Sequence, residues 1–407
     1  MTRGTVADCS ERAVDAWSGA HLVFVDVLIA RCRSTNGDTF SAATGGGGIL
    51  IRASTLTMSG GAIRDCKATG FGGALKIDAE AQVSLSNVTV YGCEAGKVGG
   101  IYVSKGAHLS LVDVSIEECS SIHTGYAGGL DSAGFLHAER VRVVRCNLLR
   151  PMSGGVITVW GSSTWTDCIV ADNHGVIWCA TGMHTFTRIT VLRTSALQNP
   201  EWGSIAISAG TTTMIDSRVA DAGSPCVVAT ETGTLVLRNT TLSNCSAPRR
   251  DFFPAFVSRT YLAMSDEAAT NFQSELLTLE PSCEEDPSAA LIGVDSAFTA
   301  PLNARGLRVV APATCASTKF AVVSDRMRLV NCSDGKHVCS AGATCTDVQL
   351  MSSLPNVKTA ICSCQGEYVA NPNGSSLALA PYGFDPNAIG LPKDLGPNHH
   401  WTTRHDH

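Results

Sequence analysis

Cysteine is the residue whose spacing in this chain most invites a chemical reading. The 407 residues hold 17 cysteines, and Cys66, Cys93, Cys119 and Cys146 recur at intervals of 26 or 27 residues. Cys32 and Cys245 stand in similar surroundings before and after them. Thiols at a fixed period can pack as small hydrophobes, pair as disulfides or hold a metal. If the period is one turn of stacked strands, successive Cα atoms lie about 4.8 Å apart, inside the disulfide window. Side chains in register, however, point in parallel and leave the Cβ atoms slightly too far apart, which favours a ladder of buried thiols over neighbour disulfides. Zinc is the weakest reading, because the series lacks a C-x₂₋₄-C pair with matching histidines.

A second cysteine group lies in "CSDGKHVCSAGATCTDVQLMSSLPNVKTAICSC" (332–364). Its order, C-x₆-C-x₅-C-x₁₆-C-x-C over Cys332, Cys339, Cys345, Cys362 and Cys364, has no C-x₂-C pair for zinc. A module this small has little core and needs staples, which favours an oxidising compartment. The spacing resembles an EGF-like module, and that resemblance implies the pairs Cys332–Cys345 and Cys339–Cys362. Cys364 departs from the pattern, since "ANPNGSSLALAPYGFDPN" supplies no sixth cysteine. Asn87, Asn239, Asn244, Asn331 and Asn373 each open an N-x-[ST] sequon, so they are the candidate glycosylation sites.

Carboxylates and histidines give less. Polysaccharide lyases and hydrolases need paired carboxylates, or a base with calcium, on one face. Asp113, Asp167, Asp172, Asp216 and Asp221 are isolated acids and read as a solvated face. His123, His174 and His184 fall in different repeats and read as turn or surface residues. "GGGGIL" (45–50) lacks the Lys-Ser/Thr of a phosphate loop. No catalytic, cofactor or metal residues are therefore expected.

The elements that must position these residues appear when each cysteine is set to zero. Ten, eight, five and three residues before Cys93 stand Val83, Leu85, Val88 and Val90. The same offsets from Cys119 give Leu109, Leu111, Val114 and Ile116, and from Cys146 give Leu136, Ala138, Val141 and Val143. Cys66 and Cys32 follow, and Asn173, Thr194, Ala222 and Cys245 fit with more polar substitutions. Spacing by two is strand alternation, and the step of three in the middle bends the chain into a second short strand. A Gly-Gly then follows, at Gly72-Gly73, Gly99-Gly100, Gly128-Gly129 and Gly154-Gly155, where a sharp turn with positive φ suits glycine. A unit this short cannot bury its apolar side alone, but stacked coils can. The expected fold is all-β: a right-handed parallel β-helix. The inward residues of the third strand stay open, because Leu75 and Ile101 sit one column apart relative to Gly-Gly.

"CxAxxxGG[AI][LY]" preceded by "VTVYG" resembles the repeats of chlamydial polymorphic outer-membrane proteins, which implies a β-helix of the pectin-lyase type, surface exposure and adhesion. In the resemblance, Cys66, Cys93, Cys119 and Cys146 replace the motif's asparagine and Asn173 retains it.

Charged residues are 16% and the net charge is −6, which gives no footprint for nucleic acid or an anionic membrane. No run of eighteen apolar residues occurs, and "MTRGTVADCSERAVDAW" lacks a signal peptide's apolar core. The expected plan is an N-terminal cap or fragment start (1–17), about nine coils (18–245), a cap and linker (246–330), an EGF-like module (331–375) and an unstructured tail (376–407). The expected role is that of a non-enzymatic extracellular or cell-surface repeat protein for adhesion, recognition or spacing, with a protein or carbohydrate partner. Lys76, Tyr102 and Lys105 are candidates for its exposed strand face. The alternatives are a carbohydrate-active enzyme and the ectodomain of a membrane-anchored receptor.

Overall fold

The computed structural model describes residues 1–34, 45–122, 127–148, 155–194, 203–223, 225–230 and 232–245, and shorter strand segments up to 364. The chain divides into two compact units, Met1–Thr212 and Thr213–His407. The first is a right-handed parallel β-helix of about eight turns.

One coil shows how the residues build it. Leu109 and Leu111 point inward from the strand His108–Val112, while Ser110 points out. Asp113 turns the chain with φ 55°, and Ser115–Glu117 follows with Ile116 inward. Glu118 turns it again with φ 54°, and the short strand Ser120–Ser121 follows. The strand Leu130–Ser132 closes the coil. Every strand pairs in parallel with its counterpart one turn away. Val90 faces Ile116 and Ile116 faces Val143, and all three are fully buried. Each such aliphatic side chain contributes roughly 1.5–3 kcal/mol by leaving water.

The corners explain where the charged residues stand. The first corner is occupied on successive turns by Asn87, Asp113, Arg140, Asp167 and Arg188, all with positive φ. The second is occupied by Glu118, Arg145, Asp172 and Arg193, also with positive φ. Asp and Asn tolerate this left-handed conformation. Corner N–H groups are bonded to the next turn, as from Asp113 to the Glu139 carbonyl at 3.0 Å and from Asp167 to the Thr187 carbonyl at 3.0 Å.

The Gly-Gly pairs have a different cause from the expected one. Gly72 does have φ +68°, but Gly73, Gly99 and Gly128 have no positive φ. They are small because a neighbouring turn crosses them: a Cβ on Gly73 would lie 2.3 Å from the Gly99 carbonyl oxygen, and one on Gly99 2.5 Å from that of Gly128. The open question of the third strand resolves in register, with Leu75, Ile101 and Leu130 adjacent on successive turns. Gly72-Gly73 and Gly99-Gly100 slip by one residue relative to that strand.

Other boundaries move. Residues 1–17 are a coil rather than a cap, because Thr2–Ala7 pairs with His21–Ala30 and Val14–Ala16 with Ile49–Ile51. Before Cys9 the columns hold only Met1, Gly4 and Val6, which hid that turn. In the second unit, coils do not stop at Cys245: Leu242 pairs with Leu279 and Leu279 with Val309, while Val227 pairs with Leu262 and Leu262 with Ile292. Ser274 and Ala304 follow Leu237 in one of these files, and that loss of apolar character broke the sequence pattern. Further on, Ala343–Gln349 and Lys358–Cys364 form an antiparallel hairpin.

Candidate functional site

The outer face of the first strands forms a site-like surface of the first unit. Side chains that alternate with the buried leucines line a groove of about 820 Å³ that crosses six turns, from Thr55 and Thr57 to Met183 and Thr185. Its lining includes the hydroxyls of Thr57, Ser84, Ser110, Thr164 and Thr185 and contains no Asp, Glu, Lys or Arg. At its centre the His108 and Phe135 rings stack, with centroids 4.8 Å apart and planes 14° from parallel. Phe135 is 54% exposed and Met183 69%. The imidazole Nδ1 of His137 is hydrogen-bonded to the Thr164 hydroxyl at 2.9 Å.

Carboxylates are gathered at the corners beside this face, and arginines alternate with them. Arg140 grips Asp113 through two bonds of 2.6 and 2.9 Å, and Arg188 grips Asp167 at 2.6 and 2.8 Å. At the second corner Arg145 reaches Glu118 at 3.0 Å and Arg193 reaches Asp172 at 2.5 and 2.9 Å. The arginine partner holds Asp113, Asp167 and Asp172 below the usual carboxylate range. In the second unit Asn239 donates to Asp216 at 2.7 Å and Asn244 to Asp221 at 2.9 Å. All five acids singled out in the sequence are thus corner residues with a partner one turn away.

Sequence reasoning missed two buried ionisable groups on the outer side of the third strands. Lys76 is fully buried and paired with Asp78 at 3.3 Å, and burial pulls its ammonium below the usual range. Lys76 therefore does not line an exposed face, and Tyr102 is only half exposed, whereas Lys105 is exposed. Phe71, Val98 and Ala127 form an apolar cluster against Tyr102, and the Lys97 ammonium lies 4.4 Å from the Phe71 ring centroid. Asp131 is 1% exposed, and neither carboxyl oxygen has a hydrogen-bond partner among the described residues. Burial pushes its pKa up to about 8.

The histidines separate as well. His174 is exposed, while His123 lies outside the described residues. His184 is not at the surface but 1% exposed inside the coil. Its Nδ1 meets the Ser163 hydroxyl at 2.9 Å, its Nε2 meets the Thr181 carbonyl at 2.6 Å, and Trp165 donates to the same hydroxyl at 3.1 Å. Burial lowers the His184 pKa. The signal was present in the column, where Ser163 and His184 replace leucine together.

Cys32, Cys66, Cys93, Cys119 and Cys146 are fully buried free thiols. Their neighbours are in register turn by turn, from Arg33 and Lys67 through Glu94 and Ser120 to Asn147. Each thiol donates to the carbonyl two residues earlier, as Cys93 to Tyr91 at 3.4 Å. Burial raises the Cys93 pKa well above the usual range, which suits packing and opposes thiolate chemistry. Asn173 continues the file, accepting from the Cys146 N–H at 2.8 Å and donating to the Val143 carbonyl at 2.9 Å. Cys245 differs from the ladder thiols: it forms a disulfide with Cys226.

The sequon residues Asn87, Asn239 and Asn244 are exposed and share the left-handed corner conformation. Asn331 and Asn373 lie outside the described residues, as do Cys332 and Cys339. Cys345 stands opposite Cys362 in the C-terminal hairpin, and Cys364 opposite Ala343. No helix among the described residues is long and apolar enough to cross a membrane. Residues 4–182 match the family model described as "Right handed beta helix region". No curated protein and no solved structure matches the chain.

Proposed function

We propose that this chain is a non-enzymatic, extracellular or cell-surface repeat protein that recognises its partner through the outer face of the first strands. The observation that carries this reading is the division of charge. Corner carboxylates are engaged by arginine or asparagine from the adjacent turn, and the long groove between turns holds hydroxyls and rings instead of acids. A hydrolase or lyase needs an acid and a base within reach of one bond, whereas a recognition face needs exposed, varied side chains on a rigid support. The cysteine-rich C-terminal segment, with its EGF-like spacing, and the sequons favour export. The test is binding of the purified chain to intact cells. Alanine replacement of Ser110 and Thr164 together should weaken it, and unchanged binding would count against this face.

A further inference from the structure

We infer that the groove on the first strands takes an extended, uncharged glycan chain. This deepens the recognition reading above and rests on it. Three features of the groove converge. The first is length: six turns at about 4.8 Å set its ends roughly 24 Å apart, so it suits a polymer rather than a compact metabolite. The second is chemistry repeated along the axis: Thr57, Ser84, Ser110, Thr164 and Thr185 each present a hydroxyl on their own turn. A hydroxyl both donates and accepts, so such a file matches a ligand that is itself a row of hydroxyls. The third is the Phe135 ring, half exposed at mid-groove and backed by His108. An exposed, pre-oriented ring offers an apolar face for the C–H side of a sugar.

The sign of the ligand follows from what the lining omits. A polyanion would need Arg or Lys to replace its hydration; none lines the groove, and Arg140 and Arg188 at its corner are committed to Asp113 and Asp167. A polycation would need carboxylates, and none lines the groove. A neutral chain carries no charge to strip of water, and hydroxyls spaced along the groove offer its own hydroxyls partners.

The experiment is isothermal titration of the full chain with chitohexaose, cellohexaose and mannohexaose as neutral probes and hexagalacturonate as the anionic one. Binding of at least one neutral hexasaccharide is expected, insensitive to added salt. Phe135→Ala should weaken it about tenfold; this residue is exposed, and unchanged circular dichroism would show the variant folded. Preference for hexagalacturonate, neutral binding indifferent to Phe135→Ala, or no binding of any neutral probe would each overturn the inference. Should glycans fail while cell binding still depends on Ser110 and Thr164, the recognition reading survives and only the ligand class is lost.

Discussion

Replacing Asp131 with asparagine should make the protein more stable at neutral pH, with a gain that vanishes in acid. The carboxyl is buried, has no hydrogen-bond partner among the described residues, and holds its proton up to about pH 8 against an ordinary 3.8. In the unfolded chain the same group ionises near its ordinary pKa. The unfolded state therefore gains stability by losing a proton that the folded state keeps. An acid with a raised folded pKa contributes its full stability below the unfolded pKa, and that contribution is lost as pH rises toward the folded pKa. Between pH 4 and pH 7 this covers about three units at roughly 1.4 kcal/mol each, or ~4 kcal/mol. Asparagine has nearly the same shape and does not titrate in this range. Urea unfolding followed by circular dichroism at pH 4, 5.5 and 7 measures the difference. The two proteins should converge near pH 4 and separate progressively toward pH 7, with the variant more stable. A variant less stable than wild type at pH 7, or a difference independent of pH, would refute the claim that Asp131 is buried as an unpartnered acid.

Three other outcomes follow from the same structure. His184 is buried neutral between Ser163 and Thr181, so its contribution is present above the unfolded pKa of about 6.5 and is lost as pH falls; His184→Gln should remove that acid-side decline in melting temperature. Gly73→Ala forces a methyl against the Gly99 carbonyl oxygen at 2.3 Å, and should destabilise by about 1–3 kcal/mol in urea unfolding, although φ at this position is not positive. Arg140→Glu places an acid between Asp113 and Asp167 in the first-corner file; the melting temperature should fall in low salt and recover in high salt, whereas an uncharged Arg140→Gln should change it less.

Much of the first unit was legible because an in-register coil repeats its inward positions at fixed offsets. Leu85, Leu111 and Ala138 announce one file, and Val90, Ile116 and Val143 another. What stayed hidden was whatever depends on contacts between turns. Corner residues such as Asp113 and Arg140 look like scattered surface charge in one dimension and become partners only when turns stack. The glycines were legible as small but not for the right reason, since the Gly99 oxygen that excludes a Cβ from Gly73 belongs to another coil. Lys76 stands between Leu75 and Ile77, and Asp131 between Leu130 and Ser132, where a strand's exposed residues should stand, yet both are buried in the fold. The groove could not be read at all, because its hydroxyls and rings are neither motif nor cluster in sequence.

The central claim is that equivalent residues of successive coils lie side by side, for this alone builds the interior files, the corner ladders and the groove. Methyl–methyl NOE spectroscopy of selectively labelled Val and Ile tests it directly. Cross-peaks are expected from Val90 to Ile116 and from Ile116 to Val143, with Val90 to Val143 weak or absent across two turns. Strong contacts from Ile116 to Val88 or Val141 without those to Val90 and Val143 would mean a shifted register, and would take the corner pairs and the groove with it.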